Sequence, residues 1–131
     1  NTHHHADHVD GNIQLKKKYN SKIIGFCNDK SRIPGIDILL KDNQSQKIGN
    51  LLFKTMFIPG HTKGHVAFYF KDEKIIFTGD TLFSLGCGRV FEGTHRDMFN
   101  SLNKLKVLPP ETRVYCGHEY TKSNLNFCLK Y

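Results

Sequence analysis

The feature that most constrains this chain is the run Thr2-His3-His4-His5-Ala6-Asp7-His8 near its start. It has the form T-H-x-H-x-D-H, so three imidazoles and one carboxylate hold fixed positions within six consecutive residues. Imidazole nitrogen and carboxylate oxygen are ligands for zinc, iron and manganese, and two such groups at i and i+2 clamp one ion from a single loop. A fold built around this run must place it in a loop that other ligands can reach. The continuation Ala6-Asp7-His8-Val9-Asp10-Gly11 separates it from the plain histidine run of a purification tag.

The rest of the chain reads as strands alternating with short helices, an α/β (α+β) pattern. Gly11 to Lys18 opens a short helix, and Lys22 to Phe26 is a strand. Asp42 to Lys47 is polar and turn-like, and Leu51 to Ile58 is mostly apolar up to Pro59-Gly60. Val66 to Phe70 is β-branched and aromatic, a strand signature. A turn over Lys71 to Lys74 returns the chain into the strand Lys74 to Thr78. Met98, Leu102, Leu105 and Leu108 recur at helical spacing and predict a helix over Arg96 to Lys106, stopped by Pro109-Pro110. Arg113 to Cys116 is a short strand, and Leu125, Phe127 and Leu129 mark a terminal helix.

The remaining polar chemistry falls where these strands end. His61 follows Ile58 in Pro59-Gly60-His61-Thr62-Lys63-Gly64-His65; Asp80 follows Thr78-Gly79; His118 follows Cys116-Gly117. Each has a glycine directly before it, which permits a sharp turn and close backbone approach. Alone, His61 or His118 reads as a surface or core histidine, and Asp80 as a turn or cap residue. Together with His3, His5, Asp7 and His8 they make seven nitrogen and oxygen ligands, the right stock for two metal ions sharing a bridging carboxylate.

Composition narrows the alternatives. The 131 residues suffice for one domain, and no apolar run approaches the length of a membrane span. The net charge of +7 gives a lysine-rich solvated surface or attracts an anionic substrate. No basic stripe interleaved with aromatics points to nucleic acid. Cys27, Cys87, Cys116 and Cys128 form no C-x-x-C pair, and no secretory pattern accompanies them, so reduced thiols are expected.

The order T-H-x-H-x-D-H, P-G-H-T-x-G-H, G-D-T and G-H resembles the metallo-β-lactamase superfamily. Gly79-Asp80-Thr81-Leu82-Phe83, Gly86-Cys87-Gly88-Arg89, Phe91-Glu92-Gly93-Thr94 and Cys116-Gly117-His118-Glu119-Tyr120-Thr121 are similar to the glyoxalase II (hydroxyacylglutathione hydrolase) group within it. The resemblance implies an αββα four-layer sandwich over residues 1–131, incomplete at both ends. It places strands ahead of the first histidine motif and a helical segment beyond Tyr131, so a longer gene product is expected.

By position, the resemblance implies that His3, His5 and His61 hold one divalent metal and that Asp7, His8 and His118 hold the second. Asp80 bridges them. Zinc is the first expectation, with iron or manganese as alternatives. His4, His65 and His95 fall outside the ligand positions, and His65 is expected to orient a neighbour through its second ring nitrogen. The implied reaction is attack of a metal-bridging hydroxide, positioned by Asp7 and Asp80, on the thioester of an S-(2-hydroxyacyl)glutathione such as S-D-lactoylglutathione. The products are glutathione and a 2-hydroxy acid, a step of methylglyoxal detoxification. Substrate contacts are implied at Arg89, Val90 and Phe91 and at His118, Glu119 and Tyr120. Phe91 departs from members that carry tyrosine there. Cys87 reads as a tight-turn residue.

Two other readings accompany this one. A persulfide dioxygenase-like enzyme with one iron would use His3, His61 and Asp80, and a catalytically inactive product would bind metal without turnover. A nuclease of the superfamily is a weaker alternative. A cytoplasmic protein is expected, with the mitochondrial matrix as the alternative, and no nucleic-acid or membrane partner. The residues do not specify an oligomeric state.

Overall fold

A computed structural model describes residues 1–131. Its centre is a five-stranded sheet in the order β3-β4-β5-β6-β9. Strands β4 (Leu51–Phe57), β5 (Val66–Phe70) and β6 (Ile75–Gly79) form an antiparallel meander. β3 (Ser45–Ile48) flanks β4, and β9 (Arg113–Cys116) runs parallel to β6 at the other edge. A parallel neighbour requires a crossover. Here the crossover carries the hairpin β7 (Leu82–Phe83) and β8 (Gly86–Cys87), then helix α3 (His95–Lys106).

Alternation along the strands divides the sheet into two faces. Ala67, Ile76 and the loop residue Ile58 meet Leu105 of α3 in one buried cluster, with Met56, Tyr69 and Leu108 packed around it. α3 starts where Thr94 accepts a hydrogen bond from the Asp97 N–H and the Asp97 carboxylate accepts from the Thr94 N–H at 2.8 Å. This reciprocal cap, with Met98, Ser101 and Leu105 buried, fixes the helix across the sheet.

The opposite face is aromatic. Phe53 lies 5.3 Å from both Phe68 and Phe70, and Phe70 lies 5.8 Å from Phe77, ring centre to ring centre. Beside it runs the parallel pair β1 (Ile24–Phe26) and β2 (Ile38–Leu40), where Phe26 stacks on Phe57 at 4.9 Å. α1 (Ala6–Val9) and α2 (Asn12–Tyr19) pack against the residues that flank that pair. Val9 joins Ile23 and Ile33 in a second apolar cluster, and Lys16 binds Asp37 at 2.6 Å. Helix, sheet, sheet and helix thus follow in the expected four-layer order. No helix is long and apolar enough to cross a membrane.

Four expectations change in detail. The turn predicted over Asp42 to Lys47 holds only at its start, because Ser45–Ile48 pairs with Leu51–Lys54 as an edge strand. An edge strand exposed on both faces tolerates polar residues, which hid it from hydrophobic patterning. The strand predicted from Lys22 begins at Ile24, and the helix predicted from Gly11 begins at Asn12. α3 begins one residue before its predicted start, and the terminal helix α4 spans Thr121–Cys128. All four cysteines are free.

Candidate metal centre

Four chain segments meet at one end of the sheet. The first holds His3 at a bend and His5 in extended backbone and then turns into α1, which carries Asp7 and His8. His61 follows β4, Asp80 follows β6, and His118 follows β9. Glycine makes two of these approaches possible. Gly79 has φ +51, and a side chain there would meet Thr2 and His65 at 2.5 and 2.8 Å. A side chain at Gly117 would sit 2.2 Å from Asp80 Oδ1.

The ring nitrogens and carboxylate oxygens converge closely. His5 Nδ1 lies 3.1 Å from both His3 Nε2 and His61 Nε2. His118 Nε2 lies 3.1 Å from Asp7 Oδ2, and His8 Nε2 lies 3.4 Å from the same oxygen. Asp80 touches both groups: Oδ1 is 3.3 Å from His8, and Oδ2 is 3.3 Å from His118 and 3.5 Å from His61. Within each of the sets His3–His5–His61, His3–His8–Asp80 and Asp7–His8–His118, the ligand atoms lie within 4.8 Å of one another.

These atoms are arranged to receive a cation. His61 Nδ1 donates to the Arg89 carbonyl at 2.8 Å, which leaves Nε2 as a lone pair facing the cluster. His8 Nε2 and Asp80 Oδ1 are buried with no hydrogen-bond partner. One proton on His5 Nδ1 cannot serve two flanking nitrogens at once. Burial, and then His65 and the other neighbouring imidazoles, push His3 far below the ordinary imidazole range. Burial, His61 and His4 also lower His5, against Asp7 and Asp80. Neutral imidazole is the form that binds metal. The residues present fit metal ions, and this donor set supports metal binding.

The other histidines stand around this cluster. His65 is fully buried, and burial followed by His61 and the other imidazoles lowers it to about 3. Its Nε2 accepts the Asp80 N–H at 3.1 Å, and Nδ1 lies 3.3 Å from the Thr81 hydroxyl. It orients the backbone of Asp80, in the manner expected of it. His4 turns away toward Asp29, Arg32 and Glu92, and His95 is exposed at the start of α3.

A cavity of about 560 Å³ opens over the cluster, bounded by His5, Asp7, His61, Asp80, Arg89, Phe91 and Tyr120, with Cys87 and Asn124 at its side. Phe91 meets His5 and His61 edge-on, at 5.7 and 5.2 Å between ring centres. Tyr120 stacks on His118 at 5.4 Å. Arg89, Phe91 and Tyr120 therefore line the cavity beside the cluster. Val90 is half-buried, and the Glu119 carboxylate accepts the Thr121 N–H at 2.7 Å; neither lines the cavity. Sequence reasoning missed Asn124, whose amide donates to the Ser84 carbonyl at 2.8 Å and ties α4 to the β7–β8 hairpin. It also missed Asp29, Arg32 and Glu92. Asp29 and Arg32 are three residues apart, but Glu92 lies 60 residues beyond Arg32, and only the fold joins it to them.

A mixed sheet whose strand ends deliver His61, Asp80 and His118 to a segment carrying His3, His5, Asp7 and His8 defines a class of metal-binding fold. Residues 25–118 match the metallo-beta-lactamase superfamily, and the chain belongs to it. Among named proteins it is similar to a hydroxyacylglutathione hydrolase of Pelagibacter ubique, 58% identical over 129 residues that cover 98% of this chain and 54% of that one. The chain spans about half the length of the curated relatives it matches. Its structure is similar to ETHE1 from Myxococcus xanthus, with TM-score 0.80 and 31% identity over 91% of this chain and 52% of that one. TTHA1623, solved in a di-iron-bound form, superposes with TM-score 0.73 and 30% identity, over 89% of this chain and 67% of that one.

Proposed function

We propose that this chain carries the catalytic centre of a hydroxyacylglutathione thioester hydrolase that works with two divalent metal ions, zinc in the first instance. The observation that carries this reading is the Asp80 carboxylate, one oxygen toward His8 and the other toward His61 and His118. A single group so placed suits a bridge between a His3–His5–His61 site and an Asp7–His8–His118 site. The di-iron form of the similar TTHA1623 supports a pair of ions. When bound, such ions lower the pKa of water from about 15.7 toward ~7 and polarise a carbonyl oxygen.

The chain's own residues supply the rest. Asp7 is more than half exposed at the cavity and within reach of His8 and His118, so its carboxylate can hold and orient a water molecule. Arg89 offers a planar cationic donor set to the carboxylates of a glutathione arm. The Tyr120 hydroxyl offers a further hydrogen bond at the same wall. The leaving thiol has a pKa of roughly 8.5, so it departs as thiolate without a general acid. Beyond the ligand set the cavity lining holds no further carboxyl or imidazole, only the Tyr120 hydroxyl and the Cys87 thiol. The similarity to hydroxyacylglutathione hydrolases supports a 2-hydroxyacyl thioester of glutathione over other thioesters.

The test is hydrolysis of S-D-lactoylglutathione by the metal-loaded chain, with oxygen uptake measured in parallel. Thiol release without oxygen uptake is expected. Oxygen uptake with a single iron per chain would instead favour the dioxygenase-like reading.

A further inference from the structure

Beside the metal centre lies a charged network that the proposed chemistry does not use. Asp29, in the turn after β1, is fully buried. Its Oδ1 sits so close under Gly64 that a side chain there would approach within 2.0 Å. A buried carboxylate is costly unless it is paired and hydrogen-bonded. Arg32 supplies the partner: Nε, at 3.2 Å, and Nη2 both donate to Asp29 Oδ1. Arg32 Nη1 turns the other way, donating to Glu92 Oε1 and lying 3.2 Å from His4 Nε2. The second oxygen of Glu92 accepts the Lys63 N–H at 2.8 Å. Next to it, the Phe91 and Gly93 N–H groups donate to the His61 and Gly60 carbonyls, each at 3.2 Å.

One guanidinium therefore reaches three segments: the histidine run through His4, the His61 loop through Glu92 and Lys63, and the 89–93 loop through Glu92. A lysine lacks the planar fork that serves such divergent acceptors. Arg32 and Glu92 do not line the metal cavity. They line a separate cavity of about 580 Å³, and Phe91 is the wall the two cavities share. Phe91 is 61% exposed, so packing alone does not hold it over His5 and His61.

We propose that Arg32 is a positioning residue: through Glu92 it clamps the 89–93 loop to the His61 loop and the histidine run, keeping Arg89 and Phe91 in place at the substrate wall. The substrate part of this proposal rests on the hydrolase reading; the clamp does not. The test compares Arg32→Gln, Glu92→Gln, Arg32→Lys and the double variant Arg32→Gln/Glu92→Gln with Lys16→Met, which breaks an ion pair outside both cavities. Glu92→Gln keeps Asp29 paired, so it remains informative if Arg32→Gln does not fold. Amide hydrogen exchange is expected to quicken about tenfold at Phe91 and Gly93, with Val66 to Phe70 unchanged and the metal retained. KM for the thioester is expected to rise about tenfold, with kcat within about twofold. Arg32→Lys gives the same pattern, and the double variant adds little to either single one. Unchanged exchange at Phe91 and Gly93 in folded Glu92→Gln overturns the clamp. A fall in kcat with KM unchanged overturns its role at the substrate wall. If the parent chain shows no thioester turnover, the exchange measurement alone decides the clamp.

Discussion

The seam beneath α3 and the inner histidines of the metal centre are equally well hidden from water, by opposite means. Ile58, Ala67 and Ile76 are at most 1% exposed, and so are His3 and His65. In the seam, burial is itself the stabilising term, of order 25 cal/mol per Å² of apolar area. In the cluster, burial is a cost that each polar atom must offset with a partner. His65 has its partners in the Asp80 N–H and Thr81, whereas His8 Nε2 and Asp80 Oδ1 have none. The seam is thus complete as a protein interior, while the cluster is complete only with cations.

Removing metal should therefore cost the cluster most. With free metal a thousandfold above its dissociation constant, chelation should remove about 4 kcal/mol of stability and all thioester turnover. Denaturant titration with and without chelator reads the first quantity. Attacking the seam should reverse the pattern. Ile76→Ala should cost about 2–5 kcal/mol, while each folded chain still binds its full complement of metal.

Acid should separate the two regions further. His65 is held at about 3 when folded, well below its ordinary value near 6.5. In the unfolded chain it takes up a proton as pH falls below about 6.5, whereas in the folded chain it does not until about 3. Stability is then lost as pH falls through that window and regained above it. His65→Ala should flatten that dependence in metal-free protein and weaken metal binding about 10–100-fold, since the Asp80 N–H loses its acceptor. Thr94→Ala should have the smallest effect. It removes one cap of α3, costing about 1 kcal/mol, and should leave metal content unchanged.

The contrast also explains what was legible in the sequence. β5 was predicted with its observed bounds, and α3 within one residue, because periodic apolar patterns record burial directly; β9, also predicted with its bounds, is exposed throughout and was legible from its valine and tyrosine instead. The seven candidate ligands were legible for a different reason. Four crowd one short run and three follow strands directly after a glycine, and only that combination outweighs the ordinary surface, core or cap role each has alone. β3 escaped because an exposed edge strand carries no burial pattern. β2, three residues long, is too short to show one. The four-residue α1 is hidden inside the ligand run itself. The Arg32–Glu92 pair escaped because it is made by folding across 60 residues, and the Phe91-Glu92-Gly93-Thr94 motif says nothing of a partner that far away.

The most direct measurement of the central claim is metal content per folded chain in the parent protein, Asp80→Ala and His118→Ala, each loaded with zinc and dialysed. A bridging Asp80 predicts two ions in the parent, loss of both together in Asp80→Ala, and loss mainly of the second in His118→Ala. Equal loss in the two variants, or a single ion in the parent, would contradict a two-metal centre bridged by Asp80.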